Sequence, residues 1–161
     1  MTTTANETEI TMDPDVPLVR ITREFDAPPE KVFLAHTDVE LVSRWLGPHE
    51  LTMAVDHWDC RTLGSYRYLH TADGEEYAFR GCFHEVRPSE RIVQTFTYEG
   101  FPDAVSLETL ELTELEGGRC RLTSTSLVDS FEARDAFVAS GMEQGVSEGY
   151  EKLDELLAGL G

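Results

Sequence analysis

One short segment brings together residue types that bind metals or do acid–base chemistry: Asp56, His57, Asp59 and Cys60. Carboxylate, imidazole and thiolate are all ligands that Zn²⁺ accepts. The segment reads as a strand, however, and neighbouring side chains on a strand point to opposite faces. No CxxC or HExxH pair accompanies it. The sequence therefore predicts no metal site and no cofactor.

Motifs for covalent or phosphate chemistry are also missing. The chain has no GxSxG nucleophile turn, and its paired glycines at 117–118 fit a hairpin turn better than a phosphate loop. Ionisable side chains do interrupt the apolar strand patterns, at His57, Arg67, Tyr68 and His84. An enzyme would need such a group inside a pocket with a displaced pKa. The sequence leaves catalysis open, and we identify no catalytic residue.

Three glycines recur at intervals of four near the C-terminus: Gly141, Gly145 and Gly149. They run beside an apolar row at helical spacing, and each glycine costs a helix about 1 kcal/mol relative to alanine. Three interpretations account for them. The glycines allow close packing against the sheet or a second subunit, they leave volume for a ligand, or Gly141 separates two helices.

Aromatic residues are frequent on the predicted strands, where they suit both a core and a small-molecule pocket. The tyrosines are the better pocket candidates because a buried hydroxyl needs a hydrogen-bond partner. The candidate ligand-binding residues are Trp45, Trp58, Tyr66, Tyr68, Phe79, Phe83, Phe96, Tyr98, Val138, Met142, Val146 and Tyr150.

The elements that must position these residues follow from apolar periodicity. A strand at 16–25 precedes two short helices, the second capped by Asp38 and stopped by Gly47-Pro48. Six more strands are predicted at 50–58, 64–71, 76–86, 91–99, 104–115 and 118–127, and a long helix at 130–160. Short turns between strands favour antiparallel pairing, which makes the fold α+β. We expect a disordered acidic tail at 1–15 and a single domain at 16–161.

The charge balance is strongly acidic, with 31 Asp and Glu against 13 Lys and Arg and a net charge of −18. Such a surface repels phosphate backbones and anionic lipid, so we expect neither nucleic acid nor membrane as a partner. The excess of acidic residues has two interpretations: adaptation to a high-salt environment, or a general contribution to solubility without a specific partner. No signal peptide or membrane-length apolar run is evident, so we expect a cytoplasmic protein with reduced cysteines.

The chain resembles the START-like (SRPBCC, Bet v 1-like) superfamily, in the branch of activator of heat-shock-protein-90 ATPase homologues. The segments that carry the resemblance are ITREFDAPPEKVF (21–33), RWLGP (44–48), GCFHEV (81–86), PSERIV (88–93) and GMEQGVSEGYEKL (141–153). The resemblance implies a helix-grip fold, with a seven-stranded curved sheet around a long C-terminal helix. It also implies a cavity for hydrophobic ligands and no shared catalytic residues. Val146 stands where many members carry tryptophan, which removes bulk from the helix face.

These observations favour a protein that binds or carries a small apolar or aromatic molecule between the sheet and the C-terminal helix. A polyketide cyclase or hydrolase using the same cavity is one alternative. A regulator of chaperone ATPase activity, or another protein-interaction module, is a second. A homodimer is possible, because two-fold dimers are the commonest oligomers.

Overall fold

The structure, a computed structural model, describes residues 6–160 and contains eight strands and four helices. The strands are β1 (Glu9–Met12), β2 (Leu18–Phe25), β3 (Thr52–Trp58), β4 (Ser65–Ala72), β5 (Glu75–Arg87), β6 (Arg91–Tyr98), β7 (Ser106–Leu115) and β8 (Arg119–Leu127). The helices are α1 (Pro29–Thr37), α2 (Val39–Trp45), α3 (Phe131–Ala139) and α4 (Met142–Gly159).

All eight strands form one antiparallel sheet in the order β1-β2-β8-β7-β6-β5-β4-β3. Consecutive strands from β3 to β8 are neighbours, as the short turns predict. Strand β2 pairs directly with β8, whereas α1 and α2 connect β2 to β3 at the opposite edge of the sheet. The sheet is curved and the C-terminal helix lies against it, which confirms the α+β class and agrees with a helix-grip fold.

The predicted number of seven strands is wrong, because β1 forms inside the segment assigned to a disordered tail. Residues Glu9–Met12 pair with β2, from Glu9 opposite Thr22 to Met12 opposite Val19. This strand has only four residues and is largely exposed, with Ile10 and Met12 as its two alternating apolar side chains, and the free edge of β2 supplies its pairing. Residues 1–5 of the predicted tail lie outside the described residues.

Two prolines and one aspartate define the short helices that follow β2. Pro29 occupies the first turn of α1, where a missing N–H group leaves no broken hydrogen bond. The Asp38 side chain then accepts hydrogen bonds from the backbone N–H groups of Glu40 (3.0 Å) and Leu41 (3.3 Å) and caps α2. The cap predicted from the sequence is therefore confirmed.

The C-terminal segment is two helices, and the prediction of one helix over 130–160 is wrong. Gly141 separates α3 from α4 with a φ of 93°, a left-handed conformation that favours glycine. The break at Gly141 was one of the three interpretations of the glycine row. It turns α4 so that its apolar face lies against the sheet.

The C-terminal half of α4 is the part that belongs to the core. Leu153, Leu156 and Leu157 are buried there and pack in one apolar cluster with residues of β2 and β8. An ion pair reinforces this junction, because the buried Arg23 of β2 donates two hydrogen bonds of 2.7 Å to the Asp154 carboxylate. A second apolar cluster, centred on Tyr66, Tyr68, Phe83 and Ile92, lies on the β4–β6 side.

Within residues 6–160, no helix combines the length and the apolar character that a membrane span requires.

Candidate functional site

A cavity of about 510 Å³ lies between the sheet, α2 and the two C-terminal helices, and it is partly open to solvent. This volume falls in the range of roughly 300–1,000 Å³ that is typical of small-molecule sites. The apolar clusters on either side do not close over it. The structure thus leaves the space between sheet and helix unfilled.

Most of the candidate ligand-binding residues line this cavity. They are Trp45, Trp58, Tyr66, Tyr68, Phe79, Phe96, Met142, Val146 and Tyr150. The structure brings them together from α2, β3, β4, β5, β6 and α4. Their assignment to ligand binding stays a prediction, which the proposed function below takes up.

Three candidates do not line the cavity. Phe83 is buried behind the lining, with its ring centroid 5.9 Å from Trp58 and 5.1 Å from Tyr66. Tyr98 packs beside Phe79 at 5.3 Å, outside the lining. Val138 lies on α3, which the break at Gly141 separates from α4, and it packs against the main core cluster. Alternation along a strand or helix identifies a face, but it does not identify which residues of that face border empty space.

Stacked aromatic rings on adjacent strands form one wall of the cavity. Tyr66 and Tyr68 stack at 6.1 Å with an interplanar angle of 16°, and Tyr68 stacks on Phe79 of the next strand at 5.3 Å. Phe79 in turn stacks on Phe96 at 5.4 Å. The Tyr68–Phe79 and Phe79–Phe96 pairs join neighbouring strands, and such cross-strand aromatic pairs stabilise a sheet and hold the rings in fixed orientations. The wall is therefore preformed before any ligand enters.

The two tryptophans fix α1 and α2 to the cavity through their ring nitrogens. Trp45 Nε1 donates to the carbonyl oxygen of Ala35, and Trp58 Nε1 donates to that of Thr37, both at 2.8 Å. Because both N–H groups are already satisfied within the protein, the indoles offer a ligand apolar surface. A histidine of α1, His36, packs edge-on against Trp45 at 4.8 Å.

The three glycines of the row all border the cavity, yet each has a different local role. Gly141 forms the left-handed helix break. Gly149 allows close packing, because a Cβ there would lie 3.3 Å from the Trp45 carbonyl oxygen and 3.5 Å from the Gly47 nitrogen. Gly145 is less constrained, with only Pro48 Cδ at 3.7 Å. Close packing therefore applies at Gly149 and a helix break at Gly141, while the role of Gly145 in leaving volume for a ligand stays a prediction.

Glu108 of β7 is a polar lining residue that sequence reasoning missed. Its two carboxylate oxygens accept hydrogen bonds of 2.7 Å from the hydroxyls of Ser106 and Ser126. Desolvation by burial raises the pKa of Glu108, and the two serine hydrogen bonds oppose that rise. The signal was present in the period-two pattern, since Glu108 lies in phase with Ser106, Leu110 and Leu112, whose side chains face inward.

Three tyrosines line the cavity together with Glu108. Tyr66 donates to the Thr95 carbonyl oxygen at 2.6 Å. Tyr68 and Tyr150 are also buried. Burial raises the pKa of both phenols well above its ordinary value, so both remain neutral donors.

Two histidines also line the cavity, and burial lowers the pKa of each. Desolvation lowers the pKa of His36 to about 4. A hydrogen bond of 2.7 Å, which Nδ1 donates to the Val32 carbonyl oxygen, acts in the opposite direction but is the smaller effect. His70 is buried, and its Nε2 atom has no partner among residues 6–160. Both imidazoles are therefore neutral at pH 7.

The other ionisable residues considered for catalysis lie elsewhere. Arg67 pairs with Glu99 (2.7 Å) and Asp56 (3.3 Å) away from the cavity, and His57 contacts the Ser65 hydroxyl at 2.9 Å. His84 is exposed. Only Tyr68 of the four lines the cavity. No group of three or more potential metal ligands occurs in the part of the chain that the structure describes.

A curved antiparallel sheet, a long C-terminal helix and an apolar cavity between them define the helix-grip class of proteins. The chain belongs to the family of activator of Hsp90 ATPase homolog 1-like proteins, whose model matches residues 26–158. The resemblance drawn from the sequence is therefore confirmed.

Solved bacterial structures have the same fold over nearly the whole chain. A protein from Rhodobacter sphaeroides is 28% identical, with a TM-score of 0.86 over 95% of this chain and 99% of its own. Protein Ms6760 from Mycobacterium smegmatis is also 28% identical, with a TM-score of 0.84 over 93% and 96%. A protein from Arthrobacter aurescens is 25% identical, with a TM-score of 0.85 over 93% and 91%. No curated protein matches the chain.

Proposed function

We propose that this protein binds a small, largely apolar or aromatic molecule in the cavity between the sheet and α4. The observation that carries the proposal is a preformed cavity of about 510 Å³ walled by aromatic and aliphatic side chains. Filling such a space with apolar ligand surface removes that surface and the lining from water, which favours binding. The few polar groups in the lining suit a role in orienting the ligand.

The neutral fluorescent probe N-phenyl-1-naphthylamine tests this proposal. We expect saturable enhancement of its fluorescence and a rise in the melting temperature of the protein with probe concentration. Val146→Trp places an indole in the cavity and should weaken binding about 10-fold or more. Glu155→Trp adds the same side chain at an exposed position of α4 and should leave binding unchanged. Equal binding by both variants would contradict the proposal.

Native mass spectrometry of the purified protein adds an independent measurement. A co-purified ligand appears as a mass increment that is lost on denaturation, and the same spectrum gives the subunit count. The possible homodimer remains a prediction that this count decides.

Catalysis in the same cavity is a second candidate function, and Glu108 is the observation that favours it. A half-buried carboxyl whose pKa is raised by desolvation suits a general acid. Hydrolysis of 4-nitrophenyl esters of aromatic acids, compared between the unmodified protein and Glu108→Gln, tests this candidate. A rate that does not depend on Glu108 would exclude this residue as the acid.

A further inference from the structure

The Glu108 carboxylate keeps hydrogen-bonding capacity that the protein does not use. A carboxylate has about four acceptor sites, and the hydroxyls of Ser106 and Ser126 each occupy one. In the sheet register, Glu108 lies between Gln94 of β6 and Ser126 of β8. The carboxylate also borders the cavity, so its remaining acceptor sites are available to a bound molecule.

Other groups around Glu108 are neutral. Tyr66 and Tyr68 of β4 and Tyr150 of α4 line the same cavity, and burial raises the pKa of all three phenols, so they are uncharged at pH 7. The cavity lining within residues 6–160 contains no lysine or arginine, and desolvation keeps both lining histidines uncharged at pH 7. Glu108 is thus the only lining residue in the described chain that can carry a full charge at neutral pH, and that charge is negative.

The cavity walls favour a cation for a second reason. The faces of aromatic rings carry partial negative charge, and a cation over such a face gains about 0.5–2 kcal/mol depending on its desolvation. Tyr66, Tyr68, Phe79 and Phe96 form a continuous stacked series along the wall. The net charge of −18 adds a long-range attraction for positive molecules.

From this geometry we infer that the ligand is a lipophilic amine, whose apolar body fills the aromatic cavity and whose ammonium group donates hydrogen bonds to Glu108. This inference rests on the proposed function. Because desolvation raises the pKa of Glu108, the bound ammonium group has to compensate the cost of ionising this carboxyl as well as its own loss of hydration. A bound ammonium group also stabilises the ionised form of Glu108 and offsets the effect of burial on its pKa.

The same arrangement disfavours anions. A fatty acid or other carboxylate would place a second negative charge beside Glu108 without any lysine or arginine in the described lining to balance it. Like charges at such short range in a poorly solvated site repel strongly. Among apolar molecules, the cavity therefore selects by the charge of the polar end.

Three compounds that share one naphthalene body test this selection: 2-naphthylmethylamine, 2-naphthylmethanol and 2-naphthoic acid. Isothermal titration calorimetry at pH 7 compares them on the unmodified protein and on Glu108→Gln. Glu114→Gln is the matched control, because it removes the same charge from an exposed position of the same strand. Circular dichroism establishes that each variant is folded.

We expect the amine to bind about 10-fold or more tightly than the alcohol, and the acid to bind most weakly. Glu108→Gln should weaken amine binding on the order of 10- to 100-fold, as a hydrogen bond between charged groups implies. It should change the dissociation constant of the alcohol by less than about 3-fold, and Glu114→Gln should leave the dissociation constants of all three compounds unchanged.

The possible failures are distinguishable. Alcohol or acid binding as tightly as the amine overturns the lipophilic-amine inference and leaves the proposed function in place. Amine binding that Glu108→Gln and Glu114→Gln weaken equally also overturns it, because the preference would then come from overall charge. Absence of binding by all three compounds overturns the proposed function together with this inference. If Glu108→Gln does not fold, the ranking on the unmodified protein is measured again in about 0.5 M NaCl, which screens the overall charge much more than a contact inside the cavity. Loss of the amine preference at that salt concentration would overturn the inference, and its persistence would support it.

Discussion

Three glycines, Gly141 at the N-terminus of α4 and Gly145 and Gly149 within it, should respond differently to replacement by alanine. At Gly145 the new Cβ meets only Pro48 Cδ, at 3.7 Å, which is an ordinary contact. Replacing a helical glycine by alanine gains about 0.8–1.0 kcal/mol where the site has room. We expect Gly145→Ala to raise the melting temperature by roughly 2–4 °C, the effect of about 1 kcal/mol on a domain of this size.

Gly149→Ala makes the same chemical change in a closer environment. Its Cβ would lie 3.3 Å from the Trp45 carbonyl oxygen and within 3.6 Å of two backbone atoms of Gly47. Backbone atoms held by α2 cannot rotate away as a side chain would, so displacing them offsets the helix gain. We expect a stability at or below that of the unmodified protein, about 1 kcal/mol below Gly145→Ala.

Gly141→Ala should destabilise the protein. No atom lies within 4 Å of its Cβ, so crowding plays no part, but its φ of 93° is strained for any residue with a side chain. That strain costs roughly 1–2 kcal/mol. Thermal and urea unfolding of the three variants should therefore rank Gly145→Ala first and Gly141→Ala last. Equal stabilisation by all three substitutions would refute these separate local roles, since the helix propensity of alanine alone would then explain the effect at every glycine.

Three further predictions concern stability and reactivity. Because desolvation lowers the pKa of the half-buried His36 from 6.5 to about 4, the unfolded chain binds a proton at this residue before the folded protein does. The free energy of unfolding should therefore fall by up to about 3 kcal/mol as the pH is lowered from 6.5 to 4. Urea titrations at several pH values should show a smaller decrease for His36→Gln and the same decrease as the unmodified protein for the exposed His84→Gln. The exposed Cys82 should react with Ellman's reagent in the folded protein before Cys60 and Cys120, because burial raises the pKa of those two thiols to about 11. Rapid reaction of all three thiols would contradict this prediction. Asp154→Ala leaves the buried Arg23 without its carboxylate partner and should lower the free energy of unfolding in urea by about 1–3 kcal/mol. The loss should be smaller than for a fully buried ion pair because Asp154 is partly exposed.

Much of this fold could be predicted from the sequence because its strands alternate clearly and short turns join them. Where that signal is weak, the prediction failed. β1 contains only two apolar residues, too few for a clear period-two signal, and it pairs with the free edge of β2, which is a property of the assembled sheet. The helix break at Gly141 was one of several interpretations, since the sequence does not give the sign of a φ angle.

The site was predicted less completely than the fold. Residues such as Tyr68 and Val146 were selected because they share a face with the core, and that face does border the cavity. Phe83 shares the same property but lies behind the lining, because the depth of a side chain depends on how neighbouring rings pack. Glu108 was one carboxylate among many, and only its burial and its two serine partners distinguish it.

The two halves of α4 serve different purposes, and this division has a consequence for how a molecule reaches the cavity. The buried residues of α4, from Gly149 to Leu157, lie beyond its first two turns, whereas Met142 and Val146 line the cavity and are only half-buried. Fraying of those first turns would uncover the cavity while the buried half stays in place. Under the proposed function, a ligand would enter and leave by local opening of this helix end, at a rate set by those turns and not by the global unfolding of the domain.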